Sequence, residues 1–440
     1  MRKADQDLPT SLRGIALKAV RLKEWRFDNL YGLLTVSNLE WCYYRLKRKA
    51  AAGVDKVTWK DYGKNLRENL ENLVDRLKRK SYRARFVKRQ YIPKLNGKLR
   101  PLGIPSIEDK VVQFGAAKIL EAIYEQEFQA FSFGYRPGIG ASNAVKELTF
   151  ELQFGRFGWL VEADIKGFFD NINHEWLMSM LELRIRDKAF LNLIKKWLKA
   201  GVLDTDGKVR HPVTGTPQGG ICSPVLANVY LHFALDLWFQ KCVKPEFQGR
   251  VMLVRYADDF VACFQYRHEA EKYYRNLGKR LGKFGLEIEP SKTNMLKFSR
   301  FDSNHGNQFE FLGFSFRWQT DRSGKPRVLR TTSKKKYKAS LANFTVWIKE
   351  NRHTRVNRLM KTLQSKLRGY WNYYGVKGNS RMLGAFWWEV KLLLLKWLNR
   401  RSQRSSYNLK GLQEMMEYFN IPKPRISEKP AVRRQTYLWT

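Results

Sequence analysis

The chain of 440 residues has few acidic side chains relative to basic ones, and this imbalance indicates which class of molecule it binds. Only 41 Asp and Glu stand against 82 Lys and Arg, which leaves a formal net charge of +41. A surplus of that size requires a polyanionic partner, and nucleic acid is the usual one. Hydrophobic residues make up 43% of the chain, which is typical of a globular protein rather than a disordered one.

Cysteine and histidine are also scarce. The four cysteines, Cys42, Cys222, Cys242 and Cys263, are scattered without any Cys-x-x-Cys pair, and the 6 histidines show no metal-ligand spacing. This pattern argues against structural zinc and against a disulfide framework, and it indicates a reducing compartment. We therefore expect any metal ion to be held by carboxylates.

Long apolar segments are missing as well. The first residues, 1–7, lack the apolar segment of a signal peptide, and the apolar run 392–395 is far too short to cross a bilayer. We expect no membrane contact and a cytoplasmic protein of a bacterium, associated with the nucleoid through nucleic-acid binding.

The most informative segment that is present is Tyr256-Ala257-Asp258-Asp259. It lies between two apolar, β-prone runs, 251–254 and 260–264, and therefore predicts a β-hairpin with the acids at its tip. Two adjacent carboxylates repel each other unless a cation neutralises them, and Mg²⁺ prefers oxygen ligands. The alternative is a solvated turn, because Asp is a common turn residue.

A third carboxylate would complete a two-metal site. Asp164 ends a predicted strand, 159–165, and in a β-α-β-β sheet that strand end lies beside the hairpin tip. Two Mg²⁺ ions about 3.5–4 Å apart could activate an attacking 3′-hydroxyl and stabilise a leaving pyrophosphate. Asp170 is a rival ligand, but its position after the turn at Gly167 favours a role as a helix N-cap.

Basic and glycine-rich segments could hold a nucleotide near these acids. Lys94 and Arg100 flank an Asn96-Gly97 hairpin turn and could grip a triphosphate. The glycines of segment 216–220 allow close approach of a nucleotide, and Gln218 could donate a hydrogen bond to its sugar or base. Lys292 could meet the leaving group.

The order of predicted elements indicates the fold. Residues 159–316 give the order β-α-α-β-β-α-β, which is compatible with a split βαβ, ferredoxin-like domain. From about residue 321 helical spacing dominates and aromatic residues are interleaved, while only Asp321, Glu350 and Glu389 are acidic up to residue 410. We expect a basic helical module there; its aromatic residues have the alternative role of an ordinary core.

Six ordered segments resemble group II intron-encoded reverse transcriptases, and the resemblance extends from about Phe27 to about Arg425. They are Phe131-Ser132-Phe133-Gly134-Tyr135-Arg136-Pro137-Gly138, Asp164-Ile165-Lys166-Gly167-Phe168-Phe169-Asp170, Thr216-Pro217-Gln218-Gly219-Gly220, Tyr256-Ala257-Asp258-Asp259, Leu312-Gly313-Phe314 and Arg368-Gly369-Tyr370-Trp371-Asn372-Tyr373-Tyr374.

The resemblance implies an α+β, right-hand polymerase with fingers, a ferredoxin-like palm, a helical thumb and a small basic C-terminal domain. The expected boundaries are 1–82 for an N-terminal extension of the fingers, 83–320 for fingers and palm, 321–384 for the helical thumb or maturase domain, and 385–440 for a basic DNA-binding domain.

The resemblance also assigns roles to single residues. Asp164, Asp258 and Asp259 match the catalytic acids, which would hold two Mg²⁺ ions together with the backbone carbonyl of Ile165. The deoxynucleoside triphosphate would contact Lys94, Arg100, Phe169, Gln218 and Lys292. Phe169 falls where the family has an aromatic gate that excludes a ribose 2′-hydroxyl; its alternative role is core packing.

The implied activity is RNA-directed DNA synthesis, with binding of the chain's own intron RNA to assist splicing and retrohoming. Target DNA or another primer and deoxynucleoside triphosphates would be its further partners, and a homodimer is one alternative assembly. Because the paired cysteines and histidines of an HNH endonuclease are missing, the chain resembles the endonuclease-lacking branch, which primes from nicks or replication forks. Open alternatives are a splicing-only RNA-binding protein, against which the three acids count, and a domesticated relative in DNA repair or phage defence.

Overall fold

The computed structural model of the chain describes residues 10–93, 99–210, 213–216, 219–302, 306–401 and 406–428. The polypeptide divides into two compact units. Residues 1–144 and 160–295 belong to the first unit, and residues 145–159 and 296–440 belong to the second. The mixed α+β composition agrees with the expected fold class.

The helices and strands alternate along the first part of the chain, up to β8. The helices are α1 (Thr10–Arg21), α2 (Val36–Arg45), α3 (Trp59–Gly63), α4 (Leu66–Lys78), α5 (Ile107–Tyr124), α6 (Ala141–Phe154), α7 (His174–Glu182), α8 (Lys188–Leu198), α9 (Ser223–Leu231), α10 (Lys244–Glu246) and α11 (Arg267–Gly282). The strands are β1 (Val87–Pro93), β2 (Leu99–Ile104), β3 (Trp159–Asp164), β4 (Val202–Leu203), β5 (Val209–Arg210), β6 (Val251–Tyr256), β7 (Asp259–Phe264) and β8 (Asn294–Lys297).

The first unit is built around α5, whose residues are buried on almost every side. A helix that is apolar all round must lie inside a core, and α5 contacts α1, α2 and α9. Its start is fixed by Ser106, whose hydroxyl accepts a hydrogen bond from the Asp109 amide. This helix therefore forms the support on which α1, α2 and α9 pack.

Two sheets carry the segments that the sequence singled out. In one sheet the strand order is β6-β7-β3-β8, and β6 and β7 form an antiparallel hairpin. The other sheet has the order β2-β1-β4-β5, and its β1–β2 hairpin pairs Pro93 with Leu99. The expected Asn96-Gly97 turn lies outside the described residues. The predicted order β-α-α-β-β-α-β is present, with β3, β6, β7, α11 and β8 as expected. The first predicted helix, 175–200, is divided into α7 and α8, and the second begins as α9 after the short β4–β5 hairpin.

The second unit combines a three-stranded sheet with helices. Its elements after β8 are β9 (Gln308–Phe311), β10 (Phe314–Thr320), β11 (Pro326–Thr332), α12 (Lys334–Asn351), α13 (Val356–Tyr374), α14 (Ser380–Leu398) and α15 (Leu409–Tyr418). The expectation that the chain is helical from residue 321 is wrong for 326–332, because that segment pairs along its full length with β10. The helical module begins after it.

Aromatic side chains form much of the core of the second unit. Trp371 is fully buried, and the rings of Tyr370 and Phe386 stack with their centroids 3.9 Å apart. Trp388, by contrast, is 50% exposed. The interleaved aromatic residues therefore serve partly as core, which was the alternative that the sequence left open.

The last described segment, 421–428, is tied to this unit by buried polar contacts. The Trp371 indole donates to the Pro422 carbonyl at 2.9 Å, and the Arg330 guanidinium donates to both carboxylate oxygens of Glu428 at 3.0 and 2.9 Å. The Arg330 and Glu428 side chains are only 7% and 9% exposed. Such a pair anchors the segment because neither charge has water as an alternative partner.

No helix in the described part of the chain is both long enough and apolar enough to cross a membrane.

Replacing Glu428 should destabilise the second unit. We expect Glu428→Gln to lower the free energy of unfolding by roughly 3–5 kcal/mol, because it leaves the Arg330 charge buried without its partner. Glu417→Gln is the matched control, since Glu417 pairs with Lys423 at 3.7 Å on the surface and should change stability by less than about 1 kcal/mol. Chemical denaturation measures both, and equal effects would contradict the prediction.

Candidate active site

The hairpin of β6 and β7 presents the adjacent acids as the sequence predicts. Tyr256 pairs with Asp259 across the hairpin, and Ala257 and Asp258 form the turn. Ala257 is buried and has a left-handed backbone with φ of 58°. Non-glycine residues adopt this conformation only where surrounding contacts hold them there, so the turn needs an external constraint.

A buried guanidinium supplies that constraint. Arg255, next to the turn, is fully buried and donates to both carboxylate oxygens of Asp236 at 2.7 and 2.5 Å. The same guanidinium donates to the Ala257 carbonyl at 3.1 Å, to the Ser132 hydroxyl at 2.6 Å and to the Asn228 amide oxygen at 3.2 Å. A buried charge is costly unless it is paired and fully hydrogen-bonded. These contacts therefore fix the turn against its surroundings.

The segment around Gly134 packs directly on the turn. Phe133 donates its amide to the Arg255 carbonyl at 2.8 Å, and the Asn228 side chain donates to the Gly134 carbonyl at 2.7 Å. A Cβ atom at Gly134 would lie 2.4 Å from the Ala257 nitrogen. Glycine is required at this position because two backbones approach each other without space for a side chain.

Asp164 lies at the end of β3, the strand next to β7 in the sheet. Burial raises the pKa of Asp258, and the negative charge of Asp164 adds to that rise. Burial also raises the pKa of Asp259 to about 8, and the charges of Asp164, Glu162 and Asp258 contribute further. The structure thus brings the three predicted acids close enough to repel one another.

Glu162 is a fourth acid that the sequence argument missed. It lies two residues before Asp164 on the same strand, so both side chains point to one face of the sheet. This alternation of acids within a strand is the signal that could have revealed it.

Lys292 neutralises one of these carboxylates. Its ammonium forms an ion pair with Asp164, and that contact raises the pKa of Lys292. Among the described residues, no three His, Cys, Asp or Glu side chains converge closely enough to hold a metal ion. The donor set nevertheless fits a divalent cation, because burial and mutual repulsion disfavour the ionised acids and a hard cation would relieve both.

The backbone beside Asp164 is held by the segment 287–289. The Lys166 amide donates to the Glu287 carbonyl at 2.9 Å, and the Glu289 amide donates to the Asp164 carbonyl at 2.8 Å. These two bonds frame a bridge between Ile165 and Ile288 and do not use the Ile165 carbonyl.

Phe169 lies in the short 3₁₀-helix Phe168–Asp170 that follows β3. Its half-buried ring meets the Tyr135 ring edge-on, with centroids 6.1 Å apart, and its carbonyl accepts a hydrogen bond from the Thr216 amide at 2.7 Å. The charge of Asp258 raises the pKa of Tyr135 in addition to burial. Phe169 is therefore linked to the acids through Tyr135.

Glycines of the following segment serve close contacts within the protein. A Cβ atom at Gly219, where φ is 113°, would lie 2.4 Å from the Gly103 carbonyl oxygen of β2, and one at Gly215 would lie 2.7 Å from the Asp170 carbonyl oxygen. Gly219 belongs to the segment 216–220 that the sequence analysis linked to a nucleotide, and the structure shows in addition that it packs against β2.

Of the remaining predicted site residues, some lie in the described part of the chain and others do not. The positive charge of Arg100 partly offsets the rise in the pKa of both Asp258 and Tyr135, so Arg100 is within electrostatic range of these groups. Lys94 and Gln218 lie outside the described residues. The N-cap role considered for Asp170 is wrong, because Asn173 caps α7 by accepting a hydrogen bond from the Trp176 amide.

Filling the space at Gly134 should loosen this arrangement. We expect Gly134→Ala to lower the free energy of unfolding by about 1–3 kcal/mol, since the new methyl group meets backbone that cannot move away cheaply. Gly14→Ala is the control, because nothing lies within 4 Å of a Cβ there and a helical Ala should stabilise by up to about 1 kcal/mol. Denaturant titrations compare them; a neutral Gly134→Ala would refute the tight contact.

Comparison with known proteins agrees with this geometry. Residues 92–316 match the family model described as reverse transcriptase (RNA-dependent DNA polymerase). The group II intron-encoded protein LtrA of Lactococcus lactis subsp. cremoris is 30% identical over 412 residues, which cover 75% of this chain and 67% of that protein. Protein YkfC of Escherichia coli (strain K12) is 32% identical over 323 residues, which cover 67% of this chain and 83% of that protein.

A eukaryotic relative is similar over a shorter stretch. An uncharacterized 91 kDa protein in the cob intron of Schizosaccharomyces pombe is 34% identical over 239 residues, which cover 53% of this chain and 29% of that protein. Because the family model spans half of the chain and YkfC matches over most of its own length, the resemblance seen in the sequence is confirmed. The chain belongs to the reverse transcriptase family, as a group II intron-type reverse transcriptase and maturase, and is an RNA-directed DNA polymerase.

Proposed function

We propose that Asp164, Asp258 and Asp259 form the catalytic centre at which this polymerase adds deoxynucleotides to a primer. The observation that carries the proposal is the turn of Ala257 and Asp258, to which the buried Arg255 is hydrogen-bonded and which belongs to the same sheet as β3. Burial and repulsion keep these carboxylates in a costly state. Proteins retain such unfavourable arrangements of charge mainly at functional sites.

Reverse transcriptases generally use divalent metal ions, and the residues here suit two Mg²⁺ ions. Asp164, Asp258, Asp259 and the Ile165 carbonyl would hold them. Bound there, the ions would activate the 3′-hydroxyl of the primer and stabilise the charge of the leaving pyrophosphate. Lys292, the cation paired with Asp164, is assigned to that pyrophosphate.

The incoming triphosphate is assigned to the basic hairpin of β1 and β2. Arg100 is within electrostatic range of Asp258, and its planar guanidinium can bind phosphate oxygens in pairs. Lys94 and Gln218 keep the contacts to phosphate and to sugar or base that the resemblance gives them. Phe169, next to Tyr135, is assigned to the sugar, where its ring would clash with a ribose 2′-hydroxyl.

The larger assignments follow the family. We assign residues 1–82 to an extension of the fingers, 83–320 to fingers and palm, 321–384 to the thumb, and 385–440 to DNA binding. The RNA partner is the chain's own intron, whose splicing it assists, and the template and primer are this RNA and target DNA. The high positive charge supports such contacts with phosphate.

Neutralising one acid should abolish synthesis without loosening the fold. We expect Asp258→Asn to slow primer extension on an RNA template by about a thousandfold or more, because it removes a ligand worth several kcal/mol. The free energy of unfolding should stay level or rise, since burial already disfavours the charged carboxylate. Asp206→Asn, at the exposed turn between β4 and β5, is the control and should extend normally. Full extension by Asp258→Asn would disprove the assignment.

The gate assignment of Phe169 makes a separate prediction. Phe169→Ala should raise the use of ribonucleotides relative to deoxynucleotides roughly tenfold or more, because the ring no longer excludes the 2′-hydroxyl. Phe168→Leu, at a fully buried neighbour, should lower thermal stability and leave the selectivity unchanged. Competition assays with both nucleotide types give the ratio. Loss of stability with unchanged selectivity in Phe169→Ala would mean that the ring serves packing alone.

A further inference from the structure

A second basic site lies in the first unit, in a groove of about 740 Å³ between α8 and the segment that joins α4 to β1. We call it the α8 groove. No acidic side chain and none of the residues assigned to nucleotide transfer lines it. Its cationic lining residues are Lys80, Arg83, Lys188, Lys195, Lys196 and Lys199.

These cations have little to neutralise them. Lys196 donates to the Tyr82 carbonyl at 2.8 Å and is thereby held against the wall. The other five cationic lining residues are exposed and form no ion pair with any residue that the structure describes. Like charges gathered in one concave surface repel one another, and the concave shape concentrates their field. The groove therefore has the positive potential that favours binding of a polyanion.

The charges on α8 form a row. Lys188, Lys195 and Lys199 are spaced by seven and four residues, which places them on one face of the helix and at its end. At 1.5 Å per residue the row is about 16 Å long. That length matches several nucleotides of a strand rather than a single small anion.

The opposite wall adds an aromatic surface. Phe86, just before β1, is 45% exposed and lines the groove together with Tyr31. Proteins that bind single strands combine a positive groove with aromatic rings on which bases stack. Lys80 has a left-handed backbone with φ of 59° after the end of α4, where glycine or asparagine is usual. The use of lysine at this position fits a role of its ammonium in binding an anion.

We propose that the α8 groove binds the phosphodiester backbone of a single-stranded RNA segment, with a base stacked on Phe86. RNA is the strand that this RNA-directed polymerase must hold. The proposal goes beyond nucleotide transfer, because it gives the protein a second contact with RNA away from the catalytic acids. RNA and DNA strands share the phosphate chemistry, so the experiment uses both.

The test compares two charge-matched variants of the full chain. The groove variant carries Arg83→Gln, Lys195→Gln and Lys199→Gln. The control variant carries Arg275→Gln, Lys279→Gln and Lys283→Gln, which removes the same number of exposed charges from α11 and the residue after it. Unfolding midpoints establish that both variants fold. Fluorescence anisotropy with a labelled single-stranded RNA then gives the binding constant at several salt concentrations.

We expect the groove variant to lose part of its salt dependence. Each phosphate contact contributes about 0.7 to the slope of log K against log salt for a single strand, so three lost contacts should reduce the slope by about 2. The control variant should keep the wild-type slope. Equal changes in the two variants would overturn the proposal, because they would reflect bulk charge only.

Two further measurements test the stacked base and the kind of strand. Phe86→Ala should weaken RNA binding at least about fivefold, and Phe86→Trp should preserve it; no loss in Phe86→Ala would contradict the stacking. Tighter binding of single-stranded DNA or of duplex RNA than of single-stranded RNA would likewise overturn the assignment. Extension of a short primer–template by the groove variant should equal that of wild type, which separates this proposal from the assignment of the acids.

Discussion

The buried ion pair of Arg255 and Asp236 is the interaction on which the candidate active site depends. The Arg255 guanidinium donates hydrogen bonds to Asp236, Ser132, Asn228 and the Ala257 carbonyl. It therefore connects distant segments of the first unit to one turn. Removing one partner of such a pair would leave an uncompensated charge in the core. The pair therefore specifies one position for the two acids that follow it, where an apolar core would tolerate several.

The acids themselves work against stability. Asp258 and Asp259 are half-buried near Asp164 in a strongly basic protein, and desolvation together with the charge of Asp164 raises their pKa values. Lys292 offsets part of this cost through its ion pair with Asp164. Acidic side chains with poor neutralisation lie together here, whereas the surrounding core is made of well-packed apolar residues. This contrast is the pattern expected of a functional site.

The basic residues also differ in their roles. Lys292 is paired with Asp164, and the charge of Arg100 acts on Asp258; both are the cations that we propose for phosphate binding during nucleotide transfer. The lysines of the α8 groove form a separate row with no acid in its lining. In the second unit, by contrast, Arg330 is buried against Glu428 and serves the fold. The composition thus indicated a polyanionic partner, but only the structure separates exposed cations without an acidic neighbour in the groove from a buried cation that stabilises the protein.

The sequence by itself determined the hairpin of 251–264, the strand that ends at Asp164 and the family. These features depend on local alternation, turn residues and ordered motifs, which neighbouring residues encode. It did not reveal the role of Arg255, whose contact with Ser132 spans 123 positions, or of Gly134, whose space is closed by Ala257. It also missed Glu162 and did not show that Gly219 packs against β2. Contacts between distant segments arise from packing in three dimensions, so only the tertiary structure decided them.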